Sequence, residues 1–452
     1  MPISQVAVVA PLYSGAMGVD RTPAPLPARR TTARWTITHV LVLACVVALA
    51  AGIRAVLLPT EGFRADLDVF ARWAHEIAVR PLDQAYGGDI NLAPVMVYIW
   101  AAVGALQPAF QTAVDASDAT IRVFLKAPAS LADLVLALAA AWSLRDRPRW
   151  AIAGGIAIGL HPALIDDSAW WGQCDSLFVV PAFIAFLLAR AGRPVPAAIA
   201  LGISLMTKPQ ALPFVVPFAA FALRRLGTRQ LVVSAGTLAG TVAVLWSPFL
   251  LAGGPLHYLN TVADLQNGGF ASISVGAWNL WWLVGQALPP SFVSDASPLL
   301  GPLNARQIGL LLAALGEAAV FLAIWSRPSP RRLALGLAAA TLVAFSLMTT
   351  MHERYSLAAL IFLVPLLPDR RVLATWVVLS SAITANMLLV VPPWAPVEIP
   401  LWISGRVGVI GSGVLLATTL ACLWLLTHDG AEDSAESESL PDGYLRAANE
   451  HP

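Results

Sequence analysis

The chain has 452 residues, of which 58% are apolar and 12% charged, and its formal net charge is +1. Soluble domains carry about 25% charged residues, so this composition excludes a water-soluble globular protein and specifies an integral membrane protein. The near-neutral balance speaks against a nucleic-acid partner, and Cys45, Cys174 and Cys422 lack the paired spacing of a disulfide framework or a thiolate metal site.

In chain order, residues 1–34 hold Pro, Ser and four arginines and are expected to form a disordered cytosolic leader. The first apolar run begins too late and is too long for a cleaved signal peptide. A bilayer-spanning helix needs about 20 apolar residues. Twelve runs approach that: 36–58, 122–144, 150–166, 176–190, 194–207, 211–223, 231–250, 307–325, 332–350, 355–368, 372–391 and 403–427. A shorter run, 93–108, follows Asn91-Leu92-Ala93-Pro94. The tail 428–452 is acidic, rich in small residues and expected to be disordered.

Arginine placement orients the spans, because basic residues are retained on the cytoplasmic side. Arg145/Arg147/Arg149, Arg190/Arg193, Arg224/Arg225/Arg229, Arg327/Arg331/Arg332 and Arg370/Arg371 occupy alternate connections; with the leader's four they put 17 of the 28 basic residues on one face. This holds only if 93–108 does not cross. The expectation is therefore an all-α polytopic membrane domain, 35–427, with about twelve transmembrane helices and both termini cytosolic. A first outer loop, 59–121, carries interfacial helices, and a second long outer loop runs over 251–304.

That topology places every polar interruption on the outer side: RADLD (64–68), DSAWWGQCDS (167–176), TKPQ (207–210) and MHERY (351–355), together with Lys126 and Lys208, the only lysines. Four loops converging on one side suggest one site. Residues 65–79 alternate as an interfacial helix, with Leu67, Phe70, Trp73, Ala74 and Ile77 on its apolar side. Asp66 at its start is a candidate general base for a hydroxyl acceptor, although an N-cap is the ordinary reading. Asp68 is a second catalytic candidate, against a surface pair with Arg72.

Lys126 and Asp133 lie two helical turns apart within one span, roughly 10 Å by helix rise. Asp133 reads as structural, bonded to neighbouring spans; Lys126 is close enough to the boundary to snorkel or to face the pocket. Lys208 marks either a water boundary or a cation for a lipid phosphate, with Gln210 beside it. His352, Glu353 and Arg354 suit a phosphate and its surroundings, since a guanidinium binds phosphate oxygens bidentately. In 167–176, Gly172 permits a tight turn, Gln173 and Asp175 offer a hydrogen-bonding edge for sugar hydroxyls, and Trp170 and Trp171 anchor the turn or stack on a ring. Trp278, Trp281 and Trp282 are expected mainly to anchor the second outer loop at the interface. Asp66, Asp68, His352 and Glu353 could form an oxygen-rich cation site, but no zinc spacing is present; no cofactor is expected, with a divalent metal left open.

These residues resemble the GT-C glycosyltransferases. The resemblance covers about 60–370 and rests on D-x-D-x-F-x-x-W-A (66–74), K-x-P-x-x-L-A-D-L (126–134), H-P-A-L…S-A-W-W-G-Q-C-D-S (161–176), K-P-Q (208–210), W-N-L (278–280) and M-H-E-R-Y (351–355). Within that group the chain is most similar to bacterial mannosyltransferases related to the second mannosyltransferase of GPI-anchor synthesis. It is similar, more distantly, to dolichyl-phosphate-glucose glucosyltransferases. One departure is Asn91-Leu92-Ala93-Pro94, where relatives carry Asp/Asn-Tyr-Pro-Pro.

The resemblance implies a polyprenyl-phosphate sugar donor, a lipid or glycan acceptor, and membrane lipids around a cell-membrane protein with an extracytoplasmic site. It implies Asp66 as catalytic base, Lys208, His352 and Arg354 at the donor phosphate, and Trp171, Gln173, Asp175, Gln210, Glu353 and Lys126 in the sugar or acceptor pocket. Glucose or arabinose transfer and a lipid-linked sugar flippase or transporter remain the alternatives.

Overall fold

The computed structural model describes residues 34–268, 270–289, 294–393 and 401–428. The expected leader, apart from Arg34, and the expected tail, apart from His428, lie outside them.

The architecture is all-helical apart from a small hairpin of β1 (Pro298–Leu300) and β2 (Leu303–Asn304). In order, the helices are α1 (Ile37–Leu57), α2 (Arg64–Val79), α3 (Pro94–Leu106), α4 (Ala119–Ser143), α5 (Pro148–Gly159) and α6 (Pro162–Ile165). A π-helical turn over Asp166–Trp171 follows, then α7 (Asp175–Arg190), α8 (Pro194–Leu205), α9 (Val215–Arg225), α10 (Thr228–Trp246), α11 (Gly254–Asn267) and α12 (Leu280–Ala287). The chain ends in α13 (Ala305–Ser326), α14 (Pro330–Leu347), α15 (Leu357–Leu363), α16 (Arg370–Val390) and α17 (Leu401–His428).

Local chemistry sets many of these boundaries. Asn304 and Gln307 form a capping box at α13, Thr36 and His39 another at α1, and Ser329 and Asp369 cap α14 and α16. Prolines open α3, α5, α8 and α14, where the missing N–H costs no helical hydrogen bond. α14 is the central helix: residues 332–346 are buried throughout. Its alanines and Gly336 let neighbours approach closely, as between small residues in membrane helices generally; a Cβ on Gly336 would stand 2.3 Å from Ile324 Cδ1. α10, by contrast, buries only Ser234 and lies at the periphery.

Among the described residues seven helices are long and apolar enough to cross a membrane: α1, α4, α10 with its following turn, α13, α14, α16 and α17. The protein is a multi-pass membrane protein. The other five of the twelve runs expected to span are shorter. The runs 176–190, 194–207, 211–223 and 355–368 hold helices of 7 to 16 residues, 150–166 divides into α5 and the four-residue α6, and turns interrupt or end all but 176–190. Pro162, Pro209, Pro213 and Pro365 fall at those interruptions, where proline's fixed φ and absent N–H break the ladder. Helix α3 has 13 residues, shorter than the ~20 a span requires, and packs beside α2 in a second apolar core with Phe110, Ile121 and Phe249.

The arginine-bearing turns gather at one end of the bundle. Trp35 Nε1 donates to the Arg145 carbonyl at 2.8 Å, Arg190 reaches the Ser143 carbonyl, Arg224 the Trp325 carbonyl, and Arg331 pairs with Asp369. The four polar interruptions lie at the other end.

The tryptophans of 278–282 differ from expectation. Trp278 and Trp281 are each only 2% exposed. Trp281 Nε1 donates to the Leu347 carbonyl, and the Trp278 amide donates to Asn386 Oδ1. They are core side chains wedged among α14, α16 and α17, not interface anchors. The close fit needs Gly411, where a Cβ would lie 2.0 Å from the Trp278 ring.

Candidate active site

Asp66 sits in the first turn of α2, with Leu67 packed beneath it. The helix reaches the site because the preceding loop folds tightly at Gly62, whose φ is +58°. Lys126 Nζ fixes that loop by donating to the Thr60 carbonyl at 2.8 Å. Lys126 is fully buried and absent from the cavity lining. Its observed work is to hold the loop that presents Asp66.

The cluster at 167–176 supplies the other half. Its π-helical turn ends at Gly172, with φ +92°, and Trp171 and Gln173 point back across the site. Trp171 Nε1 donates to Asp66 Oδ2 at 2.8 Å, and Gln173 Nε2 donates to the same oxygen. Both donors converge on one oxygen, and Asp66 lines a cavity. Beneath the turn, Asp133 accepts from Arg54 Nη2 at 2.8 Å and from the hydroxyls of Ser168 and Ser176. Asp133 is therefore structural, as expected, and ties α1, α4, the turn and α7 together.

The cations meet on Asp175. Lys208 Nζ lies 2.8 Å from its Oδ1 and Arg354 Nε 3.4 Å from its Oδ2. Arg354 also pairs with Glu353 Oε1 at 2.8 Å and stacks over Trp171, its guanidinium carbon 4.7 Å from the ring centroid. Burial opposes charge on Lys208, but Asp175, followed by Cys174 and Tyr355, holds its ammonium above the usual lysine range. His352 is the opposite case: burial, then Arg354 and Lys208, push its imidazole down to about 2. Its neutral form is favoured beside Arg354, whose Nη1 lies 3.4 Å from the ring Nδ1. Asp167, at the base, is buried without a hydrogen-bond partner for its carboxyl. Burial and then Asp175 raise its pKa well above the usual carboxylate range.

A cavity of about 1330 Å³ joins these groups. Asp66, Gln173, Lys208, Gln210, His352 and Arg354 line its polar end. Trp171, Asp175 and Glu353 stand behind that wall and set its geometry. The other end is lined mainly by apolar side chains, among them Leu212, Val216, Leu310, Ala313 and Phe345, but also by Glu317, whose buried carboxyl has no hydrogen-bond partner among the described residues. The volume exceeds the roughly 300–1,000 Å³ of ordinary small-ligand pockets.

Asp68 is not brought to the cavity. Its Oδ1 accepts from Arg64 at 2.8 Å and from the Ala116 amide at 2.9 Å, and it staples the outer loop. The pair expected with Arg72 is replaced, since Arg72 bonds Asp89 at 2.7 Å. The oxygen-rich group imagined from Asp66, Asp68, His352 and Glu353 does not assemble: among the described residues no three His, Cys, Asp or Glu side chains could hold a metal together.

Two contributors carry no clear signal in the sequence. Tyr355 faces both Lys208 and Arg354 at 5.4 Å. Thr350 has φ 58° and hydrogen-bonds Gln266 through its hydroxyl. A β-branched residue at positive φ is strained, and such strain clusters at functional sites.

The family model for glycosyltransferase family 87 matches residues 123–349, half of the chain. The chain belongs to glycosyltransferase family 87. It is thus a membrane glycosyltransferase of the GT-C type, in a family that uses polyprenyl-phosphate sugars. No curated protein matches its sequence. The matched segment of this family 87 transferase contains Lys126, Trp171, Gln173, Asp175, Lys208 and Gln210. It leaves out Asp66 and His352–Arg354, which the fold brings against it.

Proposed function

We propose that this transferase moves a mannosyl residue from a polyprenyl-phosphate-mannose donor to a hydroxyl of an extracytoplasmic lipid or glycan acceptor, with inversion. The observation that carries the mechanism is the double clamp on Asp66 Oδ2 at the wall of a cavity that Lys208, His352 and Arg354 also line. The choice of mannose rests on the resemblance of the six motifs to bacterial mannosyltransferases.

The donor phosphate takes the place opposite Lys208 and Arg354, which Asp175 holds at the cavity, and His352 lends a ring N–H. The isoprenoid chain follows the apolar end of the cavity. Asp66 Oδ1 accepts the hydroxyl proton as the acceptor oxygen bonds to C1 and the C1–O bond to phosphate breaks. The negative charge growing on the departing phosphate is stabilised by two cations already fixed in a water-poor setting. Asp68 has no part in this scheme. The arginine-rich end faces the cytoplasm by the positive-inside rule, which puts the site on the outer face.

The test is transfer from labelled polyprenyl-phosphate-mannose, and from its glucose counterpart, by purified protein in proteoliposomes with a membrane extract as acceptor source. Mannose is expected on a new product with wild type and is lost in Asp66→Asn, whose thermal unfolding stays that of wild type. Full activity in Asp66→Asn removes the residue from the role of base. Label that changes leaflet without entering a product points to a flippase. Use of the glucose donor alone overturns the sugar assignment and keeps the reaction class.

A further inference from the structure

The arginine-rich end of the bundle holds a second cleft, of about 890 Å³, between α1, α4 and α7. Trp35 and Trp142 stand at its mouth with Arg34, Arg145 and Asp146; Leu43, Val135, Leu138 and Leu187 line its depth. Val135 precedes Trp142 by seven residues, so the slot runs roughly 10 Å along α4 by helix rise, with Arg145 in the turn beyond. Val135, Leu138 and Trp142 recur at helical spacing on one face and remain 44%, 48% and 62% exposed. This stripe is an open apolar edge.

The mouth is built and positively charged. Trp35 Nε1 ties the start of α1 to the Arg145 carbonyl, and the Arg145 guanidinium lies 4.8 Å over the Trp142 ring. Among the described residues neither Arg34 nor Arg145 forms an ion pair. Asp146 is the one acid on the lining, against two guanidiniums, and Arg147 and Arg149 are exposed on the same turn. The shape is an apolar slot closed by aromatic rings under unpaired cations. Interfacial tryptophans and arginines of this kind sit at headgroup depth, and a guanidinium is suited to phosphate.

We infer that this cleft is a binding site for an anionic phospholipid, with its phosphate between Arg34 and Arg145 and one acyl chain along Leu43, Val135, Leu138 and Leu187. The excess positive charge selects an anionic headgroup over a zwitterionic one. The lipid joins the start of α1 to the α4–α5 turn, at the end of the bundle away from Asp66. It therefore acts on the stability of the transferase and not on its chemistry.

The test titrates the purified full-length protein with phosphatidylglycerol and with phosphatidylcholine of the same chains, read by native mass spectrometry and by thermal unfolding. Phosphatidylglycerol is expected to bind at least tenfold more tightly and to raise the melting temperature. Each basic residue near an anionic headgroup contributes about fivefold, the equivalent of about 1 kcal/mol. Arg34→Gln with Arg145→Gln should therefore weaken phosphatidylglycerol roughly 25-fold, weaken phosphatidylcholine by less, and leave sugar transfer as it was. Arg229→Gln, on an exposed arginine at the same end, serves as control and should change neither. Trp142→Ala should weaken both lipids. Equal binding of the two lipids, or a preference unchanged in the double variant, overturns the site. Displacement of phosphatidylglycerol by much lower concentrations of undecaprenyl phosphate assigns the cleft to a carrier lipid and overturns the phospholipid assignment.

Discussion

Asp66 and Asp68 look equivalent in the sequence, two acids at the start of one helix. Two residues subtend about 200° on an α-helix, so only one can face the cavity, and the sequence does not tell which. Trp171 and Gln173 decide it, and they lie more than 100 residues away. Their pairing with Asp66 is not legible in the sequence, although both are candidate site residues there. If Asp66 is the base as proposed, Gln173→Ala should lower kcat about tenfold or more with little change in KM, because it loosens the Asp66 carboxylate; Gln173→Glu should lower it further by placing a second acid against Oδ2. A rise in KM alone would instead make Gln173 a sugar contact. His352 carries a pH prediction. Its folded pKa is depressed from 6.5 to about 2, so the unfolded chain binds a proton that the folded chain refuses. The stability it contributes is present above about pH 6.5 and is lost as pH falls from there toward 2. Melting temperature should fall less steeply between pH 6.5 and 4 in His352→Gln than in wild type; parallel curves would refute the assignment.

At the scale of elements, the site depends on two backbone turns and one buried acid. A Cβ at Gly62 would lie 2.1 Å from the Trp170 carbonyl oxygen, and one at Gly172 2.5 Å from Leu67 Cδ2, both at positive φ. Gly62→Ala should displace the loop that Lys126 pins, lowering activity and stability together. Lys126→Met should lower melting temperature with KM for the donor unchanged; a selective rise in KM would return Lys126 to the binding pocket. Asp133 is the deeper support. Removing one partner of a buried ion pair costs about 3–5 kcal/mol, and Asp133→Ala strands Arg54, 2% exposed, with its carbonyl partners alone. Chemical denaturation should register a loss of that size. The sequence does reveal Asp133 as structural, since an acid deep in a span needs partners. It conceals where short helices break, because apolar runs of 13 to 17 residues look alike whether they continue or turn. It also hides that Trp278 and Trp281 are core residues: a tryptophan beside an apolar run matches an interface belt and a packed interior equally well.

For the whole molecule, the legible quantity is the asymmetry of charge along the bundle. Arginines in alternate connections require a chain that returns repeatedly to one end, and the contacts of Arg190 with Ser143, Arg224 with Trp325 and Arg331 with Asp369 bring those connections together. The polar clusters meet at the opposite end, where Asp66, Lys208 and Arg354 share one cavity. The bundle is therefore polarised, with chemistry at one end and arginine at the other, and the positive-inside rule turns this polarity into an orientation. Single cysteines in a background with Cys45, Cys174 and Cys422 replaced by alanine test it directly. Ser117, exposed beside the N-cap of α4, belongs to the site end, and Arg147, exposed before α5, belongs to the other. An impermeant maleimide should label Ser117→Cys on sealed cells and reach Arg147→Cys only after permeabilisation. The reverse pattern would put the site on the cytoplasmic face. A donor made in the cytoplasm would then need no passage across the bilayer before transfer, so the orientation decides whether a separate flipping step must precede this enzyme.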